Sequence, residues 1–240
     1  MTKKFILLFL TFTLTINLGQ QRKMSLQATG KNDIDFKYLL FLPQDYNESQ
    51  KTRWPLILFL HGKGERGEDL DLVKIHGIPK IVATEKEFPF IAVSPQCPID
   101  HVWADDFMQQ KVLDLLSKIV HNYRVDRNRI YLTGLSMGGY GTWSLATSRP
   151  DLFAAAVPIC GGGDPSTVSK LKDLPIRVFH GALDKVVLSE NSEKMVTALQ
   201  KAGGNVTYTL YPDANHDSWT ETYANPGLYD WLLAQRRTDH

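Results

Sequence analysis

The stretch Ile130-Tyr131-Leu132-Thr133-Gly134-Leu135-Ser136-Met137-Gly138-Gly139 runs from an apolar segment into a serine flanked by glycines, and then into a helix-compatible segment. Apolar residues without clean alternation read as a strand covered on both faces. The glycines read as a sharp turn in which the serine backbone is strained and no neighbouring Cβ is tolerated. A strand, a tight turn and a helix in immediate succession form one half of a βαβ unit, and the rest of the chain repeats that rhythm.

Short apolar runs recur at 56–60, 90–93, 154–157, 176–179 and 206–210. Between them lie amphipathic stretches. Met108 to Tyr123 places Met108, Val112, Leu115, Leu116, Ile119 and Val120 on one stripe. Glu190 to Ala202 does the same with Met195, Val196 and Leu199 and stops at Gly203-Gly204. A last helix is expected over 228–235, and Phe36 to Leu42, closed by Pro43, reads as an antiparallel edge strand. The expected fold class is α/β, with a mostly parallel central sheet and helices on both faces. The short connections leave no room for a large lid domain.

The 240 residues carry 27 Lys and Arg against 26 Asp and Glu, a net charge of +1, with 43% hydrophobic residues. This fits one ordinary domain and gives no electrostatic ground for nucleic acid or an anionic membrane as partner. The N-terminus differs: Lys3 and Lys4 precede an apolar run from Phe5 to Leu18. It reads as a signal peptide over residues 1–19, too short for a stable membrane span, with a single domain over 26–240 and a secreted or periplasmic location. In an oxidising compartment the two cysteines, Cys97 and Cys160, either pair or remain two buried thiols. No ligand spacing points to a metal, and no cofactor is expected.

Ser136 in this turn is the candidate nucleophile, and a serine hydroxyl needs a base oriented by a carboxylate. Asp184 follows the 176–179 run and His216 follows the 206–210 run, each on a loop past the C-terminal end of a strand, where open α/β sheets build their sites. Asp213 and Asp164 are rival acids. His61 and His180 each precede a glycine at a strand end and are expected to brace loops. The N–H of Met137, at a helix N-terminus, and that of Lys63, in the His61-Gly62-Lys63-Gly64 loop, are the expected oxyanion donors. Trp103 and Trp219 are candidate walls of a substrate pocket.

With these residues in place, the chain resembles the α/β-hydrolase superfamily, and within it the small secreted esterases related to feruloyl esterases and polyhydroxybutyrate depolymerases. The matching blocks are Leu58–Gly62, Ser94–Pro98 with Trp103, Gly134–Trp143, Pro158–Asp164, His180–Asp184, Tyr211-Pro212 and His216–Trp219. The resemblance implies Ser136, Asp184 and His216 as the triad and a site lined by Gly161 and Gly162, while the aromatic Trp103, Trp219 and Tyr140 near it would suit a small-molecule or carbohydrate-linked ester with a feruloyl or acetyl group. It also implies that the strands before Cys97 and Cys160 are not neighbours. Cleavage of amides by the same triad, acyl transfer to an acceptor, and a non-catalytic binding role are the competing readings.

Overall fold

The computed structural model describes residues 19–30, 33–85 and 87–237. Eight strands form one sheet: β1 (Gln21–Leu26), β2 (Phe36–Phe41), β3 (Trp54–Leu60), β4 (Ile91–Pro95), β5 (Val125–Leu135), β6 (Ala155–Ile159), β7 (Ile176–Gly181) and β8 (Val206–Tyr211). Their spatial order is β1-β2-β4-β3-β5-β6-β7-β8. β2 pairs antiparallel with β1 and β4, and from β4 to β8 all pairings are parallel.

The predicted strands sit where the apolar runs lie, and burial explains why those runs lack alternation. Leu56, Leu58 and Leu60 belong to one core cluster and Ile57 and Phe59 to another, because the sheet is covered on both faces. The first cluster packs α2 (Asp106–Asn122) through Met108, Val112, Leu115 and Ile119, α3 (Met137–Ser148) through Trp143, and α4 (Glu190–Lys201) through Met195 and Leu199. The second packs α1 (Gly77–Thr84) through Ile78 and Val82, α5 (Trp219–Ala224) through Tyr223, and α6 (Pro226–Ala234) through Leu228 and Leu232. Between Cys160 and Pro175 there is one 3-10 helix, Pro165–Leu171. Among the described residues no helix is long and apolar enough to cross a membrane.

Three elements depart from the sequence expectation. α3 begins at Met137, immediately after the serine, two residues before the expected start. The last helix starts at Pro226 and ends at Ala234, displaced by its Asn225 cap, whose side chain accepts the Gly227 N–H at 2.9 Å. β1 lies before residue 26, where the domain was expected to begin. Its residues are mostly half-buried and mostly polar, so no apolar run marks it. The expected signal peptide falls outside the described residues except for Gly19.

Cys97 and Cys160 are both buried and free. They follow β4 and β6, which β3 and β5 hold apart, so no disulfide joins them. Burial pushes both thiols up to about 12.

Candidate active site

The loops after β3, β5, β7 and β8 converge at the C-terminal edge of the sheet. Ser136 joins β5 to α3 with φ 52° and ψ −115°, a conformation that a non-glycine residue holds only when its surroundings impose it. Its N–H donates to Ile159 O at 3.0 Å, and its C=O accepts from Tyr140 N–H at 3.1 Å. The flanks must be glycine. A Cβ on Gly134 would lie 2.4 Å from Gly138 O, and one on Gly138 would lie 1.9 Å from Leu60 O.

The geometry places Ser136 Oγ 3.0 Å from His216 Nε2, and His216 Nδ1 2.7 Å from Asp184 Oδ2. With Nδ1–H donating to the carboxylate, Nε2 is free to accept the serine proton. The other carboxylate oxygen, Asp184 Oδ1, accepts the N–H groups of Val186 at 2.8 Å and Val187 at 2.9 Å. Burial raises the Asp184 pKa, but the His216 hydrogen bond and the two backbone donors outweigh it and hold the carboxyl below its ordinary range. The rival acids stand elsewhere. Asp164 is exposed and accepts Ser166 N–H at 2.9 Å as the cap of the 3-10 helix, and Asp213 is exposed.

His61 and His180 brace loops as expected. His61 Nδ1–H donates to Gly62 O at 2.6 Å, Nε2 accepts from Cys97 N–H at 2.9 Å, and burial lowers its pKa to about 4. His180 is fully buried, with Nδ1 2.8 Å from Ser192 Oγ and Nε2 2.8 Å from Val187 O. The Cys160 thiol lies with Asp184 and His216 in a group whose ligand atoms fall within 4.8 Å of one another. Burial keeps the thiol protonated beside the two polar groups.

A cleft of about 560 Å3 opens over the serine, within the range of small-molecule sites. Ser136, His216, Met137 and Lys63 all line it. Met137 opens α3, and Lys63 opens the 3-10 turn Lys63–Glu65. The first N–H of a helical turn has no acceptor within the helix. Trp219 lines the cleft, with its ring edge-on to His216 at 5.2 Å and 89°.

Three expected lining residues do not line this cleft. Trp103 is 1% exposed: its Nε1–H donates to His61 O at 2.9 Å, so it supports the Lys63 loop from behind. It fits there because the residue opposite is Gly141, whose Cβ would lie 2.3 Å from Trp103 Cβ. Gly161 is buried against Gly139, and its C=O accepts from Ser192 Oγ at 2.8 Å. Gly162 lines a separate cavity of about 370 Å3 that shares Tyr140 and Ala104 with the cleft. Conversely, Glu65, His76, Val102, Val186 and Val187 line the cleft without having been singled out. Val186 and Val187 carried a signal, since they lie two and three positions beyond the candidate acid.

A parallel sheet with helices on both faces, a strained serine at the β5–α3 turn and a serine–histidine–aspartate relay at the strand ends define an α/β-hydrolase. The chain is similar to a solved thermostable esterase, at 36% identity and a TM-score of 0.78, over 92% of this chain and 64% of that one. The Dienelactone hydrolase family matches over residues 99–227, more than half of the chain, and the chain belongs to that family. It is also similar to poly(3-hydroxyalkanoate) depolymerase C of Paucimonas lemoignei, 24% identical over 49% of this chain and 38% of that protein. A putative carboxymethylenebutenolidase of Escherichia coli O157:H7 is 29% identical over 38% of this chain and 37% of that protein. The aligned part spans well under half the length of these two curated relatives.

Proposed function

We propose that the protein hydrolyses carboxylic esters through an acyl-enzyme formed on Ser136. The unbroken relay from Ser136 Oγ through His216 to Asp184, at 3.0 and 2.7 Å, carries this reading. His216 Nε2 takes the hydroxyl proton as Oγ attacks the ester carbonyl. Asp184 keeps Nδ1–H oriented and stabilises the imidazolium. The N–H groups of Met137 and Lys63 receive the oxyanion, each worth roughly 3 kcal/mol in the transition state. The imidazolium returns its proton to the leaving alcohol as the C–O bond breaks. A water deprotonated by His216 then attacks the acyl-enzyme, the acyl–Oγ bond breaks as the imidazolium returns the proton to Ser136 Oγ, and the acid leaves.

The substrate class is a small or carbohydrate-linked ester, including feruloyl and acetyl esters. The aromatic Trp219 and Tyr140 in the cleft wall support an aromatic acyl group. A fluorophosphonate probe is expected to label the protein at one site, mapped by mass spectrometry to Ser136, with p-nitrophenyl acetate turned over faster than an aminoacyl anilide. Faster anilide cleavage would replace the esterase reading with a peptidase one. Transfer of the acyl group to added alcohol in preference to water would replace it with an acyltransferase, and absence of labelling would leave a binding protein on a hydrolase fold.

We also infer export, from the basic and apolar residues 3–18. Cleavage near Gly19 leaves β1 whole, since that strand begins at Gln21. Mass spectrometry of protein recovered outside the cytoplasm is expected to find a new N-terminus within a few residues of position 20, and an intact Met1 there would refute cleavage.

A further inference from the structure

One carboxyl group in the cleft takes no part in the relay. Glu65 ends the 3-10 turn that begins at Lys63, lines the same cleft as Ser136, and has a side chain only 9% exposed. Its backbone C=O accepts from Gln96 Nε2 at 2.9 Å, which anchors the turn to the residue after β4. Its carboxyl oxygens are poorly matched. Oε1 lies 3.8 Å from His76 Nε2 and Oε2 lies 3.8 Å from His61 Nδ1, both beyond hydrogen-bond reach. Oε2 is buried with no hydrogen-bond partner.

Few side chains in the cleft wall oppose this charge, and the guanidinium of Arg66, next in sequence, donates to Lys63 O and His101 O, each at 3.2 Å. His61 spends Nδ1–H on Gly62 O and is held neutral by burial. His76 is the nearest group able to carry a positive charge. Lys63 is exposed, so its ammonium is screened by water and salt. Among the described residues no arginine lines the cleft, and Asp184 behind His216 adds a second negative charge. Burial pulls the Glu65 pKa above its ordinary value, and His76 together with the backbone N–H groups of Gly62 and Glu65 opposes that rise without cancelling it.

We propose that Glu65 is a specificity determinant, a carboxyl group in the wall of the ester-binding cleft that admits neutral substrates and, when ionised, disfavours esters or lactones carrying a carboxylate. This rests on the ester-hydrolase reading above. Like charges a few ångströms apart in a partly dehydrated cleft discriminate by an order of magnitude or more.

The test compares the wild type with Glu65→Gln at pH 8 and low salt on two matched pairs. One pair puts the charge on the alcohol side, 4-carboxyphenyl acetate against 4-carbamoylphenyl acetate. The other puts it on the acyl side, monomethyl terephthalate against methyl 4-carbamoylbenzoate. In the wild type, kcat/KM is expected to favour the neutral member by about tenfold more than alkaline hydrolysis in solution does in at least one pair, and Glu65→Gln to bring that ratio close to the solution value. A ratio equal in the wild type and the variant for both pairs overturns the proposal. So does a variant that loses activity on all four esters in equal proportion, since that marks Glu65 as a brace for its loop. Glu65→Ala, which keeps the backbone anchor to Gln96, gives the same comparison if the glutamine variant folds poorly. A wild type inactive on all four substrates overturns the ester reading itself, and this proposal with it.

Discussion

Ser136→Ala is expected to lower kcat for p-nitrophenyl acetate by roughly 10⁶-fold, by analogy with serine-protease triads, and to leave the fold intact. The size follows from what is removed. Without Oγ there is no acyl-enzyme, and His216 has no hydroxyl to deprotonate. The members of such a relay act as one unit, so losing the nucleophile alone costs about as much as losing all of it. Stability should move little, because Oγ makes a single hydrogen bond among the described residues, to His216 at 3.0 Å, at a partly buried position. A net loss of about 1 kcal/mol is the expected ceiling, or roughly 2–4 °C in Tm for a chain of this size. Stopped and steady-state assays beside a thermal melt separate the two effects. A variant that melts like the wild type yet keeps more than about 1% of its kcat would remove Ser136 from the mechanism.

What could be read from the chain beforehand follows from how local each signal is. Ser136 was legible because its requirement is met by its immediate neighbours: Gly134 and Gly138 each abut backbone where no Cβ fits. Asp184 and His216 were legible because each follows an apolar strand run, and in a parallel sheet all such ends fall on one edge. Trp103 was misplaced because a tryptophan after a strand gives the same local signal whether it faces a cleft or the core. The decision lies 38 residues away, at Gly141. Glu65 sits in a run of glycine and charged residues that resembles a solvated turn, and its burial depends on Gln96 and His76, distant in sequence. β1 was missed because an edge strand with one pairing partner and half-exposed residues needs no apolar run.

Gly138→Ala tests the packing that holds the serine in place, and a loss of about 3 kcal/mol in stability is expected, near the upper end for overpacking. The added Cβ would lie 1.9 Å from Leu60 O, 2.6 Å from Leu60 C and 2.8 Å from His61 O. None of these is a side-chain end that can swing aside. Leu60 is paired in register with Gly134 at the centre of the sheet, and His61 O already accepts the Trp103 indole N–H. Relief therefore requires α3 to move away from β3. Because α3 starts at Met137, that motion also shifts Met137 relative to Lys63, both of which line the cleft. The expected result is a Tm lower by roughly 6–12 °C, together with a fall in kcat at 25 °C, where the variant is still folded. Gly64→Ala is the control for stability. A Cβ there meets nothing within 4 Å, so its melt should match the wild type within about 0.5 kcal/mol. If Gly138→Ala melted within 2 °C of the wild type at undiminished kcat, the contact between β3 and the first turn of α3 would not be what positions Ser136.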